Sequence, residues 1–562
     1  MNMLTLAGSA FWAWGCHSEP TIKQPFPEDS EVPDEEDTED VAIPGPEDIE
    51  LSIASPAAGT WTEDGTITAS GLVEGLTDVT VNGEPVSVDG GTWSTTVATV
   101  PGIVPIEVTS IDDSGFSHVR RRSVLAGSFH ADTVQTGNAV RMRVNQSAID
   151  QGFAALPGYF SQEYVEKALL ADSRIYADSL FWVYLTSVDF DTSTMDFALS
   201  EGAISLSVLL PELALTFWYD GPSFLNGVAE AGASMVRVDA DLELSIEDGA
   251  LAVSIPSATV VLDDFYFDVD NILGIEHLMQ DAVQDALEDA LEDALINEVA
   301  PLIEDSFVDL DMSYSNTLLN TDTSVEAAFT EFSIDEEGIE LLVAISIDVQ
   351  GLEQPPHIAP GWFAHTFEPD ALSHDRDVAI ALSDNLLNHI LFCAWNAALL
   401  SDEVSTEDGS LSAVFLSLAG ATEGTLIVDA MFPPVVVQSS EELQLQVGEI
   451  SMIVETPGAP LGEYVALMIE GVLPIELMLQ DNAMQISLGE PDVHLDASDN
   501  DWVMRPEEIE TLLVEGLPLD ILTDLATDIE VPIPTYQGAG ISEGVLFRDG
   551  SATATVIEFD LE

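Results

Sequence analysis

The run Ile380-Ala-Leu-Ser-Asp-Asn-Leu-Leu-Asn-His-Ile-Leu-Phe-Cys-Ala-Trp-Asn-Ala-Ala-Leu-Leu400 constrains the fold more than any other stretch. Ser383 reads as a helix N-cap, because its hydroxyl can accept a hydrogen bond from the first free backbone N–H groups. Beyond it, Leu386, Leu387, Ile390, Leu391, Ala394, Trp395, Ala398 and Leu399 recur at three- and four-residue spacing. A helix apolar over most of its circumference cannot lie on a wet surface. It must pack on a sheet or line an apolar cavity. Cys393, on the same helix, reads as a small buried hydrophobe.

Charge sets the next constraint. The 562 residues carry 102 Asp and Glu against 12 Lys and Arg, a formal net charge of -90. Nucleic acid is excluded as a partner, since phosphate binding depends on basic residues that displace counterions. Anionic membrane surfaces would repel the chain, whereas a saline environment or calcium suits it. The length exceeds one hydrophobic core and implies roughly two to four domains. Although 46% of residues are hydrophobic, no segment after residue 16 is long and uncharged enough to span a bilayer. With Cys16 and Cys393 as the two cysteines, disulfides are not what holds the fold together.

Residues 1–16 resemble a bacterial lipoprotein signal: an apolar run, Met3 to Gly15, ends in small residues before Cys16, the expected site of lipid attachment. Two departures are present, no basic residue before the run and Ala13 three positions upstream of Cys16. Residues 17–48 are acidic and proline-rich and read as a disordered tether. From 49 to 127, short alternating strands separated by Asn82-Gly83, Asp89-Gly90-Gly91 and Asp113-Ser-Gly115 describe a small all-β sandwich. Val81-Asn-Gly-Glu-Pro-Val86 with Gly91-Thr-Trp93 is similar to bacterial immunoglobulin-like modules, which serve as spacers or adhesive units. Arg120-Arg121-Arg122 reads as a charged strand end balancing nearby acids.

The remainder repeats one plan. Asn138–Val144 is a strand that runs into a helix from Asn145 to about Leu156, and Asp377–Leu382 runs into the helix capped by Ser383. Each half also has a later helix. Ile275, Met279, Val283, Leu287, Leu291 and Leu295 mark one face of a helix between Ile272 and Val299, and Pro506 opens its counterpart. Gln354–Gly361 reads as a stiff linker. The domains are therefore 132–353 and 362–562, joined by 354–361.

This plan resembles the bactericidal/permeability-increasing, lipopolysaccharide-binding and cholesteryl ester transfer proteins. The match rests on Asn138–Asp150, on Leu382–Leu400, and on Leu513-Val-Glu-Gly-Leu-Pro-Leu519 leading to Val531-Pro-Ile-Pro534. The resemblance implies an α+β fold of two pseudo-symmetric elongated barrels, each a twisted antiparallel sheet plus a long helix, with acyl chains in apolar slots. The slots would be lined by Ile149, Phe153, Ile275 and Met279 in the first barrel and by Leu386, Ile390, Leu391, Leu513 and Leu517 in the second. Core packing is the competing reading for each of these residues. The family's animal members carry a disulfide and, where they bind lipopolysaccharide, a basic tip. This chain has neither, so phospholipid or another acyl lipid is the expected partner.

No G-x-S-x-G elbow, H-E-x-x-H pair, phosphate-binding loop or C-x-x-C reads as marking an active site, and no enzyme, cofactor or metal centre is expected. His357, His365, His374 and His389 match no ligand spacing. Asp496-Ala-Ser-Asp-Asn-Asp501 with Glu507 echoes a calcium loop, but Asp501 stands where the turn glycine belongs, which leaves calcium a candidate partner. The expected protein is thus an extracytoplasmic lipid-binding or lipid-transfer lipoprotein of a bacterial cell envelope, in the outer membrane or at the cell surface. The alternative is an adhesive or structural surface protein with solidly packed barrels, and a hydrolase of an extracellular polymer ranks third.

Overall fold

The computed structural model describes residues 49–131, 134–152, 174–177, 182–221, 226–269, 276–299, 301, 303, 314–318, 321–349, 357–365, 372–398, 400–406, 421–439, 442–460, 462–480, 483–500, 504–506, 508–511, 529–532, 541–549 and 554–561. Residues 49–127 form two facing sheets. Glu50–Leu51, Thr66–Glu74, Thr92–Ala98 and Val88–Asp89 make one, and Trp61–Thr62, Ser117–Ala126, Gly102–Ile111, Thr77–Val81 and Glu84–Pro85 make the other. Their inward residues, Val79, Val81, Trp93, Ile106, Val108 and Val124, are buried between them. Asn82 and Gly83 both take positive φ, 49° and 78°, which is the hairpin geometry their sequence demands. The strand Ser117–Ala126 contains the arginine triplet, which is therefore mid-strand rather than at a strand end.

Beyond 127 the described chain is mostly β, and the α+β expectation is corrected to that extent. Strands reach 22 residues (Asn226–Glu247), because alternating sequence buries one side chain in two along their length. One curled sheet belongs to the first half and has the order Arg174–Ala177, Trp182–Asp189, Ala203–Asp220, Asn226–Glu247, Ala250–Ser254. A second belongs to the second half and runs Ser401–Ser405, Thr425–Ala430, Glu442–Glu455, Tyr464–Gln480, Ala483–Leu488, Ile529–Pro532. Between them lies a seven-stranded sheet built from both halves: Tyr314–Leu318, Thr321–Ile334, Gly338–Val349, Thr136–Asn145, Val378–Ser383, Ala554–Leu561, Ile541–Asp549.

The two strands with matching sequence plans meet at the middle of this sheet. Thr136–Asn145 and Val378–Ser383 pair antiparallel, Val140 with Leu382 and Val144 with Val378. Each then delivers a helix, α1 (Gln146–Gly152) and α3 (Asp384–Asn396), so the two helices are related by the local antiparallel symmetry. Helix α2 (Glu276–Ala294) continues as a short π-helix, Leu295–Val299. Its periodic face packs as the spacing predicts, with Val283 and Leu287 fully buried and Leu291 and Leu295 nearly so. No helix among the described residues is long and apolar enough to cross a membrane.

Candidate functional site

Helix α3 starts as its sequence dictates. The Ser383 hydroxyl accepts a hydrogen bond from the Asn385 N–H at 3.1 Å, and Asp384 places its charge in the first turn, where the helix dipole favours it. The helix stops earlier than the periodicity suggests. Ala398 adopts φ 55°, and the Ala397 and Ala398 N–H groups turn back to the Cys393 and Trp395 carbonyls.

Burial around α3 is inverted relative to an ordinary amphipathic helix. Its buried residues are Asp384, Asn385, Asn388, His389, Phe392 and Trp395, while Leu386, Leu387, Ile390, Leu391, Cys393 and Ala394 are only half-buried. At ~100° per residue the buried set spans an arc of about 140°, and those six half-buried residues fall on the other side. Leu386 and Cys393 border neighbouring apolar clusters, and the arc as a whole is left half-open although apolar side chains ordinarily occupy the packed face.

Polar anchors hold the helix in this orientation. Asn388 lies against the strand Val435–Ser439, accepting from the Val436 N–H at 2.6 Å and donating to its carbonyl at 3.1 Å. Asn385 does the same to His365, at 2.6 and 2.9 Å. Both amides thus satisfy backbone groups that burial would otherwise leave orphaned. The Trp395 indole donates to the Ala430 carbonyl at 2.6 Å. His389 stacks on Trp362 and meets the Thr136 hydroxyl at 2.8 Å.

Asp384, 1% exposed, receives a bidentate pair of hydrogen bonds from Arg548, both at 2.7 Å. Burial pushes its carboxyl above the ordinary range and Arg548 pulls it back, with burial prevailing. Burial likewise lowers the His365 imidazole.

Of the residues predicted to line slots, Leu386, Ile390 and Leu391 share this half-open arc. At the margin of the main core near it, Ile475, Leu477, Leu479 and Leu546 are also partly buried. These four were not found from sequence, although the alternation in Val472–Leu479 carried the signal for Ile475, Leu477 and Leu479. Ile149, by contrast, is 1% exposed within the packed core of the first half. Met279 lies in the backbone of α2, and Phe153, Ile275, Leu513, Leu517 and Cys16 lie outside the described residues.

Among the described residues the apolar face of α2 is closed against its sheet, whereas that of α3 is half-open.

The four histidines of the 357–389 span are dispersed. His357 meets Asp429, His365 the Val436 carbonyl, His374 Glu337, and His389 the Trp362 ring. No metal-holding group of His, Cys, Asp and Glu occurs among the described residues. Asp492–Asn500 is a strand, whose successive side chains point to opposite faces, and Asp501 and Glu507 of the calcium-loop candidate lie outside the described residues. Gly540-Ile-Ser542-Glu-Gly544 has the spacing of a hydrolase nucleophile elbow. Ser542 lies within the strand Ile541–Asp549, however, and an elbow needs a strand-to-helix turn at the serine.

A family model described as glucodextranase, domain B, matches residues 49–127. No curated protein matches the chain. Among solved structures the chain is similar to lipopolysaccharide binding protein, at 12% identity and a TM-score of 0.39, covering 75% of this chain and 98% of that one. It is also similar to P47 of Clostridium botulinum E1, at 9% identity and a TM-score of 0.31, covering 76% and 100%. Latherin aligns at 14% identity and a TM-score of 0.16, covering 29% and 82%. Likenesses of this degree carry no functional argument, which rests instead on the residues.

Proposed function

We propose that the protein binds acyl lipid, holding a hydrocarbon chain against the open arc of α3 in the second half. The observation that carries this reading is the inversion of α3: its polar residues are buried and hydrogen-bonded, while Leu386, Leu387, Ile390 and Leu391 stay half-open. A chain lying there would leave water at a gain of about 0.8 kcal/mol per methylene. No covalent step is involved, and the acidic surface favours neutral or zwitterionic head groups. Transfer of that lipid between membranes belongs to the same proposal.

Native mass spectrometry of the purified chain, followed by extraction and lipid identification, tests this directly. One phospholipid or other acyl lipid per chain is the expected result. A bare mass that stays unchanged after incubation with phosphatidylcholine vesicles would instead favour the adhesive or structural reading.

Membrane attachment through Cys16 belongs to the same proposal, with residues 17–48 as the spacer and the bacterial cell envelope as the site. Its support is the apolar run that ends at Cys16 and the proline-rich acidic stretch after it. Cys16→Ser is expected to move the protein from the membrane to the aqueous fraction of fractionated cells. Unchanged membrane association would refute the anchor.

A further inference from the structure

The immunoglobulin-like module does not hang free of the second half. Ile103 and Leu125 of the module share an apolar cluster with Phe363, Phe432, Val435 and Val437. The Ile103 N–H donates to the Gln446 side chain at 2.7 Å. A Cβ on Gly448 would come within 2.7 Å of Ile103, so glycine is what permits the close approach.

Carboxylates complete this seat. The strand Ser117–Ala126 pairs with Gly102–Ile111 along one edge, and two of its N–H groups on the other side are taken up by side chains of the second half. The Arg121 N–H donates to Asp496 at 2.7 Å and the Ser123 N–H to Glu449 at 2.5 Å. The Ser123 hydroxyl reaches Glu470 at 2.5 Å. Glu449 is aimed there by a β-bulge between Val447 and Ile450, at a backbone φ of 50° that a non-glycine residue rarely takes. All three acids are buried, at 3%, 8% and 4% exposure for Glu449, Glu470 and Asp496.

The charges do not balance. Arg122 pairs with Glu449 at 3.0 Å, and Arg121 lies 2.9 Å from Glu107 and 3.9 Å from Glu470. Two guanidiniums thus face three buried carboxylates and Glu107. On the neighbouring strand His494 is the register partner of Glu470, half-exposed and 3.7 Å from Asp492.

We propose that this seat is a proton-operated clamp: the module is held on the second half while Glu470 carries a proton, and is loosened when Glu470 ionises. A protonated Glu470 removes one of the four carboxylates that face Arg121 and Arg122 and keeps its hydrogen bond to Ser123. An ionised one adds an uncompensated buried charge.

Burial, against the opposing pull of Ser123 and Arg121, pushes the Glu470 carboxyl up to about 7 from an ordinary 4.5. Burial raises Glu449 as well. The seated state therefore binds more protons than the released one. Clamping is full below pH 4.5, weakens between 4.5 and about 7, and is constant above.

Hydrogen exchange of the Arg121 and Ser123 amides reads the clamp, since both N–H groups are protected by the seat. In the full chain, protection corrected for intrinsic exchange is expected to fall about 50-fold from pH 5 to pH 8. In Glu470→Gln, which stays neutral and can still donate to Ser123, the fall over the same range should shrink to about tenfold or less, the remainder belonging to Glu449. A flat profile in the unsubstituted protein overturns the proposal without reference to any variant. A Glu470→Gln profile that tracks the unsubstituted one overturns it too.

Discussion

Ile390→Arg is expected to abolish lipid retention while leaving the protein folded. Ile390 lies near the middle of the half-open arc of α3, where its side chain is not locked into the closed core. A guanidinium there can turn toward water when the slot is empty, so the thermal midpoint should move by no more than a few degrees. With an acyl chain present, the charge would have to sit in hydrocarbon at a cost of several kcal/mol, or about a hundredfold or more in affinity.

The contrast is Phe392→Ala, two residues along on the packed arc at 4% exposure. That change should cost about 3–5 kcal/mol of stability. Lipid extraction and thermal denaturation of both variants check the pair. If Ile390→Arg instead fails to fold, the arc is ordinary core and the lipid reading falls.

Removing Arg548 should produce the largest loss of stability of any single charge change near the site. Arg548→Met leaves Asp384 buried at 1% exposure with its bidentate partner gone. Breaking such a pair typically costs about 3–5 kcal/mol, because the remaining charge is uncompensated.

The pH dependence identifies the cause. Burial already raises the Asp384 carboxyl above its ordinary value of 3.8, and losing Arg548 raises it further. A raised acid stabilises the fold in its protonated form, so the deficit of the variant should be greatest at neutral pH. It should shrink as the pH falls toward 3.8. Urea denaturation between pH 4.5 and 8 measures this, and adding Asp384→Asn should recover much of the loss. A deficit that stays constant with pH would point to lost packing of the guanidinium instead.

Local features were legible in the sequence because their causes are local. Ser383 caps α3, Asn82-Gly83 turns its hairpin, and the spacing of Val283, Leu287, Leu291 and Leu295 gives the buried face of α2. What was hidden depends on partners far away in the chain. The apolar periodicity of α3 located a helix but gave no sign that Asn385 and Asn388 would be its buried residues. Their value lies in the backbone groups of His365 and Val436, which no pattern within 384–396 reveals. Arg120–Arg122 did balance acids, but the partner of Arg122 is Glu449, more than 300 residues away. The shared central sheet was hidden for the same reason. Alternation specifies a strand and its buried face, whereas neighbours follow from tertiary packing.

The pairing at the centre of that sheet also sets an order of events during synthesis. Val140–Val144 emerges from the ribosome about 240 residues before the strand that covers its edge, Val378–Leu382. That strand in turn waits for Ala554–Leu561, about 170 residues further on. Until Val378–Ser383 is made, the first half presents an unpaired, apolar strand edge of the kind that recruits other chains. Closure over such separations is slow. A nascent chain of this design therefore depends on being kept apart from its neighbours until Ala554–Leu561 is made.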